Sequence, residues 1–158
     1  MAEQRVVDYL DHHRVAFSTC RHPPAFTAQE IAEKAHISGH NLAKTVVVKL
    51  DGKLALCILP ATERVNFSQL RHAAGSHTAE LAAEEEFASA FGHCELGATP
   101  PFGDLFGLPV FAVDSLDKGS FVAFNSGDSS ELLVMGWQDF HELVHPVVLS
   151  RQQKAAIA

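Results

Sequence analysis

Three features of this 158-residue chain carry residue types that could do chemistry. The string "HELVH" at 141–145 sets two histidines four residues apart around a glutamate. On a helix His141 and His145 would share one face and could hold zinc, with Glu142 as general base. A third ligand would have to come from upstream, because residues 146–158 contain no His, Asp or Glu. The favoured reading is an amphipathic carboxy-terminal helix that packs Trp137, Phe140 and Val144 and is stopped by Pro146.

The second feature is Lys44, at the entry of "TVVVKL" after the loop-like "SGHNLA". An ammonium at a strand mouth can bind a phosphate or a ribose hydroxyl as a compact charge, or it can be an ordinary solvated lysine. The third is the loop "GATPPFG" at 97–103. Pro100 and Pro101 fix their own φ and restrict the residues before them, while Gly97 allows a close approach that a Cβ would forbid. A stiff run of amides at 97–99 could face a developing oxyanion, or the loop could be a rigid connector. Phosphate-cradling glycine loops and a Gly-x-Ser-x-Gly elbow are absent, so nucleotide hydrolysis and hydride transfer have no support.

These residues need elements to position them. Val6, Val7 and Leu10 predict a first helix ending near residues 11–13, and Val15 and Phe17 a strand after it. Thr27 and Glu30 have capping-box spacing, with Phe26 and Ile31 as the hydrophobic staple, so a helix is expected from Ala28 to about Gly39. "KTVVVKL", "DGK" and "LALCIL" predict a hairpin turned by Asp51 and Gly52. Asn66 and Gln69 cap a further helix, with Val65 and Leu70 as its staple and Gly75 at its end. A short helix at "AEEEFASAF", strands at "HCEL", "VFAVD", "FVAFN" and "LLVM", and a last helix at "WQDFHELV" complete the chain. Helices interleaved with hairpin-length connections predict an α+β domain built on a mixed sheet.

Bulk properties narrow the function. The length suits one domain over 1–158, with its core at about 5–148. Membrane-length apolar runs and signal-peptide order are both missing, so a cytoplasmic location without membrane partners is expected. Cys20, Cys57 and Cys94 are odd in number and lack a Cys-x-x-Cys pair, which predicts reduced thiols. The net charge of −7 argues against wrapping duplex nucleic acid. Its distribution is uneven: residues 1–71 hold nine Lys/Arg against seven Asp/Glu, and residues 72–150 one against twelve. A partner that is anionic over a small patch could dock on the first half.

Taken in order, "HPPAFTAQEIA", "NLAKTVVVKL", "GATPPFG" and "VAFNSGD" resemble the YbaK/ProRS-associated domain family. Its members are free-standing aminoacyl-tRNA deacylases or the inserted editing domain of bacterial prolyl-tRNA synthetase. The resemblance spans about residues 5–148 and implies a single α+β domain with a mixed central sheet flanked by helices. It implies a trans-editing hydrolase that removes a small mischarged residue of the alanine, cysteine or serine class from the 3′ end of tRNA. Lys44 matches the family lysine that holds the terminal adenosine region, and Thr45 beside it joins the substrate-binding set. Gly97 and Pro101 match a Gly-x-x-x-Pro loop that contacts the aminoacyl group, with Ala98, Thr99 and Pro100 between them. Phe26 and Thr27 match the lining of the amino-acid pocket, and Asn125, Ser126 and Gly127 its polar rim. The implied catalytic pair is Lys44 and Gly97, with no cofactor or metal and with a ribose hydroxyl of the substrate orienting the water. The expected partners are the aminoacyl-tRNA 3′ end and a synthetase such as prolyl-tRNA synthetase. Where several members carry a His or a basic residue after "SG", this chain has Asp128, Ser129 and Ser130, which leaves the amino acid open. The alternatives are a non-catalytic module that binds a tRNA end or a synthetase, and the zinc hydrolase on His141 and His145.

Overall fold

The computed structural model describes residues 4–150 except 24, 26, 92, 93, 95–97, 119 and 120. Helix α1 (Gln4–His12) buries Val6 and Leu10, one helical turn apart, and leads to strand β1 (Ser18–Arg21). The strand expected at Val15 and Phe17 is displaced because the helix end claims Val15. Its amide donates to the Leu10 carbonyl while Arg14 adopts a left-handed φ of 58°, so pairing starts only at Ser18.

Helix α2 (Ala28–Ala35) begins where the capping box puts it. Thr27 Oγ accepts from the Glu30 amide at 3.1 Å and donates to Glu30 Oε1 at 3.1 Å. The expected staple partner Phe26 lies outside the described residues. The helix ends earlier than Gly39: His36 takes the left-handed cap and the Ile37 amide closes on the Ala32 carbonyl. Gly39 has a different use, since a Cβ there would stand 2.8 Å from Thr62 Cγ2.

The hairpin forms as expected from β2 (Ala43–Leu50) and β3 (Lys53–Pro60), with Asp51 and Gly52 at positive φ. Helix α3 (Phe67–Ala74) is capped by Asn66, whose side chain accepts from the Gln69 amide, and closed by Gly75. Strand β4 (Ala79–Leu81) was not anticipated; it is a three-residue edge held by pairing with Val48, Lys49 and Leu50. A one-turn α4 (Glu84–Phe87) follows. Of the strand expected at "HCEL", only Cys94 is described, in a bend, and the other residues lie outside the described set.

Strands β5 (Val110–Val113), β6 (Val122–Asn125) and β7 (Glu131–Met135) and helix α5 (Trp137–Val144) lie where the pattern predicts. Pro146 does not end the structured chain. His145 turns left-handed, and β8 (Val147–Leu149) returns parallel to β5.

The sheet is mixed: β4-β2-β3-β5-β8 form one hydrogen-bonded set and β1-β7-β6 another, with helices on both sides. A parallel bridge between Leu42 and Ala123 joins the two sets, and the Ala123 amide donates to the Asn41 carbonyl at 2.9 Å. Val47, Leu56, Ile58, Val122 and Phe124 face a core shared with α1 and α5, in which Phe124 and Phe140 stack at 4.6 Å. Full burial of such side chains contributes about 1.5–3 kcal/mol each. The opposite face packs Leu70 of α3 against Val48, Cys57 and Leu59, and Ile31 and Ala32 of α2 against Leu42, Ala123 and Leu132.

Candidate active site

Alternation along strands assigns the face of each candidate. Leu42 and Ala123, paired at the bridge, both pack toward α2. Two residues further along each strand come Lys44 on β2 and Asn125 on β6, which therefore share that face. No ladder continues between the two strands beyond the bridge: β3 holds one edge of β2 throughout, and β4 takes the other from Val48 to Leu50. Lys44 and Asn125 thus lie on one face, next to the junction between the two halves of the sheet. Thr45, half-buried opposite Ile58, alternates to the other face with Ala43 and Val47.

The end of β6 is a tight polar turn. Ser126 is fully buried and its hydroxyl donates to the Glu131 carbonyl at 2.6 Å. Gly127 has a φ of 94°, a value a side chain would resist. Asp128 Oδ1 accepts from both the amide and the hydroxyl of Ser130, at 2.7 and 2.6 Å.

The "GATPPFG" loop meets this turn. The Gly127 amide donates to the Ala98 carbonyl at 2.8 Å, and Ala98, Pro100 and Pro101 are buried while Thr99 is half-buried. Behind the loop, Phe102 is completely buried with Tyr9 of α1 at 5.6 Å between ring centroids. Tyr9 Oη donates to Asp104 Oδ2 at 3.1 Å, and an Arg5 guanidinium nitrogen donates to the Leu105 carbonyl at 2.7 Å. The last glycine is demanded by packing: a Cβ on Gly103 would run into the Leu108 carbonyl oxygen and the Val110 side chain. Gly97 lies outside the described residues, as does Phe26.

The segment before α2 is bonded to the same turn. The His22 amide donates to the Ser130 carbonyl at 2.9 Å and the Ala25 amide to the Ser129 carbonyl at 3.4 Å. Thr27, exposed, commits its hydroxyl proton to Glu30. The sequence reading missed buried His22, whose Nδ1 lies 2.8 Å from the Pro23 carbonyl oxygen. The "HPP" string was its visible signal.

Around Lys44 the electrostatics are uneven. Burial, and after it the neighbouring Arg64 guanidinium, hold its ammonium below the ordinary lysine value, while Glu63 and Cys57 act in the opposite sense. Burial pushes the Cys57 thiol up to about 12, so it is neutral at physiological pH. Arg64 and Glu63 sit in the loop between β3 and α3, where hydrophobic periodicity gives no signal, and the sequence reading did not single them out.

The histidines of "HELVH" are elsewhere. His141 lies on α5 with its ring 6.0 Å from Trp137, but His145 is the left-handed cap beyond the helix, so the two do not form an i, i+4 helical pair. Among the described residues no group of three or more His, Cys, Asp or Glu side chains is placed to hold a metal. A cleft of about 490 Å³ runs between the turn after α1 and α5, lined in part by His13, Arg14, Glu142 and His145. None of the candidate residues on β2, β6 or the "GATPPFG" loop lines it. Among the described residues no helix is long and apolar enough to cross a membrane.

Comparison with known proteins bears on what this arrangement does. Residues 22–143 match the family model described as "Aminoacyl-tRNA editing domain". The chain is 32% identical over 88 residues to a proline--tRNA ligase of Halalkalibacterium halodurans, covering 56% of this chain and 15% of the ligase. It is 32% identical over 98 residues to that of Acidithiobacillus ferrooxidans, covering 62% and 17%. The match thus spans about a sixth of the length of these relatives. Among solved structures, a hypothetical protein superposes with a TM-score of 0.82 at 20% identity, over 92% of this chain and 97% of that one. A candidate trans-editing enzyme for prolyl tRNA synthetase superposes with a TM-score of 0.80 at 20% identity, over 94% of each chain. At such identities these likenesses establish the fold.

Proposed function

Because the chain belongs to the aminoacyl-tRNA editing domain family, we propose that it is a deacylase that hydrolyses a mischarged amino acid from the 3′ end of tRNA. The observation that supports this most directly is the Gly127 to Ala98 hydrogen bond. It fastens the proline-stiffened loop to the polar end of β6, two residues beyond the bridge that sets Lys44 and Asn125 on one face of the sheet.

The chemistry asks little of the protein beyond geometry. An aminoacyl ester is already activated. Water adds its oxygen to the carbonyl carbon, the bond to the ribose oxygen breaks, and the departing ribose oxygen takes the proton. A neighbouring ribose hydroxyl orients the water, and backbone amides of the "GATPPFG" loop stabilise the oxyanion. Lys44, as an ammonium, holds the terminal adenosine region beside the scissile ester. Asn125, Ser126 and Gly127 form the rim opposite it, and Phe26 and Thr27 complete the binding set, whereas Thr45 lies on the other face of β2, away from Lys44.

Selectivity follows from size. Ala98, Pro100 and Pro101 are buried in a loop backed by Phe102 and α1, so the pocket wall cannot yield to a larger side chain. Alanine, cysteine and serine are the residues of the class that fits.

The test is release of amino acid from a panel of mischarged tRNAs by the wild type and by Lys44→Ala. The expected result is hydrolysis of at least one small-residue substrate and a loss of about 100-fold or more in the variant. Release no faster than in buffer across the panel removes the enzyme reading. RNA-end binding without release would then identify a binding module.

A further inference from the structure

Among the described residues, His22 Nε2 is a buried nitrogen without a hydrogen-bond partner, on a residue only 7% exposed. Register fixes the side of the sheet on which it stands. Cys20 on β1, Leu132 on β7 and Asn125 on β6 form one row, and Cys20 and Leu132 pack toward α2. The His22 amide extends the β1 ladder by donating to the Ser130 carbonyl at 2.9 Å, so His22 repeats the side taken by Cys20 two residues earlier. Lys44 shares that side through the bridge between Leu42 and Ala123. The other ring nitrogen fixes the tautomer. The Pro23 carbonyl oxygen, 2.8 Å from Nδ1, can only accept, so Nδ1 holds the proton. In a neutral ring bonded this way Nε2 presents a lone pair. The hydroxyls of the same region spend their protons inside the protein: Ser126 on the Glu131 carbonyl, Ser130 on Asp128 and Thr27 on Glu30.

We propose that His22 Nε2 accepts a hydrogen bond from the side-chain hydroxyl of the mischarged residue, which makes this chain select serine over alanine. The inference rests on the editing reading of the same site and deepens it by naming the group that reads the substrate's side chain. A buried acceptor with no donor is a standing cost to the fold, and a donor that arrives with the substrate removes it. A hydroxyl suits the vacancy because it brings one proton and no charge. An α-ammonium brings three protons and a charge that one neutral nitrogen leaves uncompensated. The atom is shut off from solvent, so the hydroxyl reaches it as the segment between β1 and α2 gives slightly. The bond from the Ala25 amide to the Ser129 carbonyl, 3.4 Å long, is the weaker of that segment's two attachments to the turn. Alanine enters the same pocket but leaves the lone pair unmet, and a site whose buried polar group depends on a substrate hydroxyl disfavours the analogue that lacks it.

The experiment compares the wild type, His22→Asn and His22→Gln on seryl and alanyl esters of one tRNA. An asparagine amide can repeat the bond from Nδ1 to the Pro23 carbonyl without reaching the Nε2 position, whereas the glutamine carbonyl reaches it. The wild type is expected to favour the seryl ester by about ten-fold in kcat/KM. His22→Asn should bring the two esters close to parity by losing seryl turnover while keeping alanyl turnover, and His22→Gln should recover part of the preference. Equal losses on both esters in His22→Asn, or a wild type that prefers alanine, overturn the proposal. A second measurement needs neither a variant nor catalysis. Seryl and alanyl 3′-amides of adenosine, which resist hydrolysis, are added to protein carrying isotope-labelled histidine. The Nε2 resonance of His22 should move with the seryl amide and stay in place with the alanyl one; the same response to both overturns the proposal. If the wild type releases neither amino acid from tRNA the editing reading fails, and this resonance still decides for or against His22.

Discussion

The Gly127 amide and the Ala98 carbonyl, 29 positions apart in sequence, meet in a 2.8 Å hydrogen bond that joins the "GATPPFG" loop to the end of β6. Gly127 makes this bond from a backbone conformation with a φ of 94°. Gly127→Ala is expected to lower stability by about 1–2 kcal/mol, from left-handed strain alone. Deacylation should fall further than that loss explains, because the loop is released from the rim. Chemical denaturation and single-turnover hydrolysis measured together check this; full turnover in a destabilised variant would detach the bond from the reaction.

Gly103 tests the packing of the same loop from behind. Gly103→Ala drives a methyl group into the Leu108 carbonyl and the Val110 side chain. A destabilisation of about 1–3 kcal/mol is expected from overpacking, read as a drop in Tm. A variant as stable as the wild type would mean that the Gly103 to Leu108 turn relaxes freely.

The pH dependence has a definite sign. Burial and Arg64 lower the Lys44 value, so activity that needs the ammonium is lost as pH rises through a midpoint below 10.5. Replacing Arg64 with Gln removes one lowering influence and should move that midpoint upward. The same shift affects stability in the opposite direction: with a depressed folded value, the penalty on the buried ammonium is relieved as pH climbs toward 10.5, so this residue's contribution to stability rises over that window. A pH–rate profile of wild type and Arg64→Gln, with no upward movement in the variant, would refute the coupling.

Thiol reactivity separates the three cysteines. Cys57 is buried with its thiol pushed up to about 12, whereas Cys20 and Cys94 are half-buried. Under native conditions an aromatic disulfide reagent should modify Cys20 and Cys94 and leave Cys57 until the chain unfolds. Rapid labelling of Cys57 at neutral pH would contradict the packing of Val48, Leu59 and Leu70 around it.

Elements governed by neighbours a few residues apart were legible before folding was considered. The Thr27 and Asn66 caps, the Asp51-Gly52 turn and the apolar faces of α1 and α5 each rest on contacts within about one turn of chain. What misled were residues whose usual preference was overridden. His36 and His145 take left-handed caps that would ordinarily suggest glycine, and Gly39 serves a close approach to Thr62. Strands β4 and β8, three residues each, show little periodicity of their own and exist because β2 and β5 offer them a paired edge.

For the site, the sequence by itself determined the types of group available and the family they belong to: a strand-entry lysine, a proline-stiffened loop and a polar strand end. Only the tertiary structure decided that the loop is bonded to Gly127, that Lys44 and Asn125 share one face of the sheet, that burial and Arg64 weaken the Lys44 ammonium, and that His145 leaves the α5 helix. The reason is the reach of the forces involved. A cap or a tight turn is satisfied by atoms already close along the chain, so composition and spacing specify it. A bond such as Gly127 to Ala98 depends on closing a long segment of chain, and its energy is realised only once the cores on both faces of the sheet have brought the ends together.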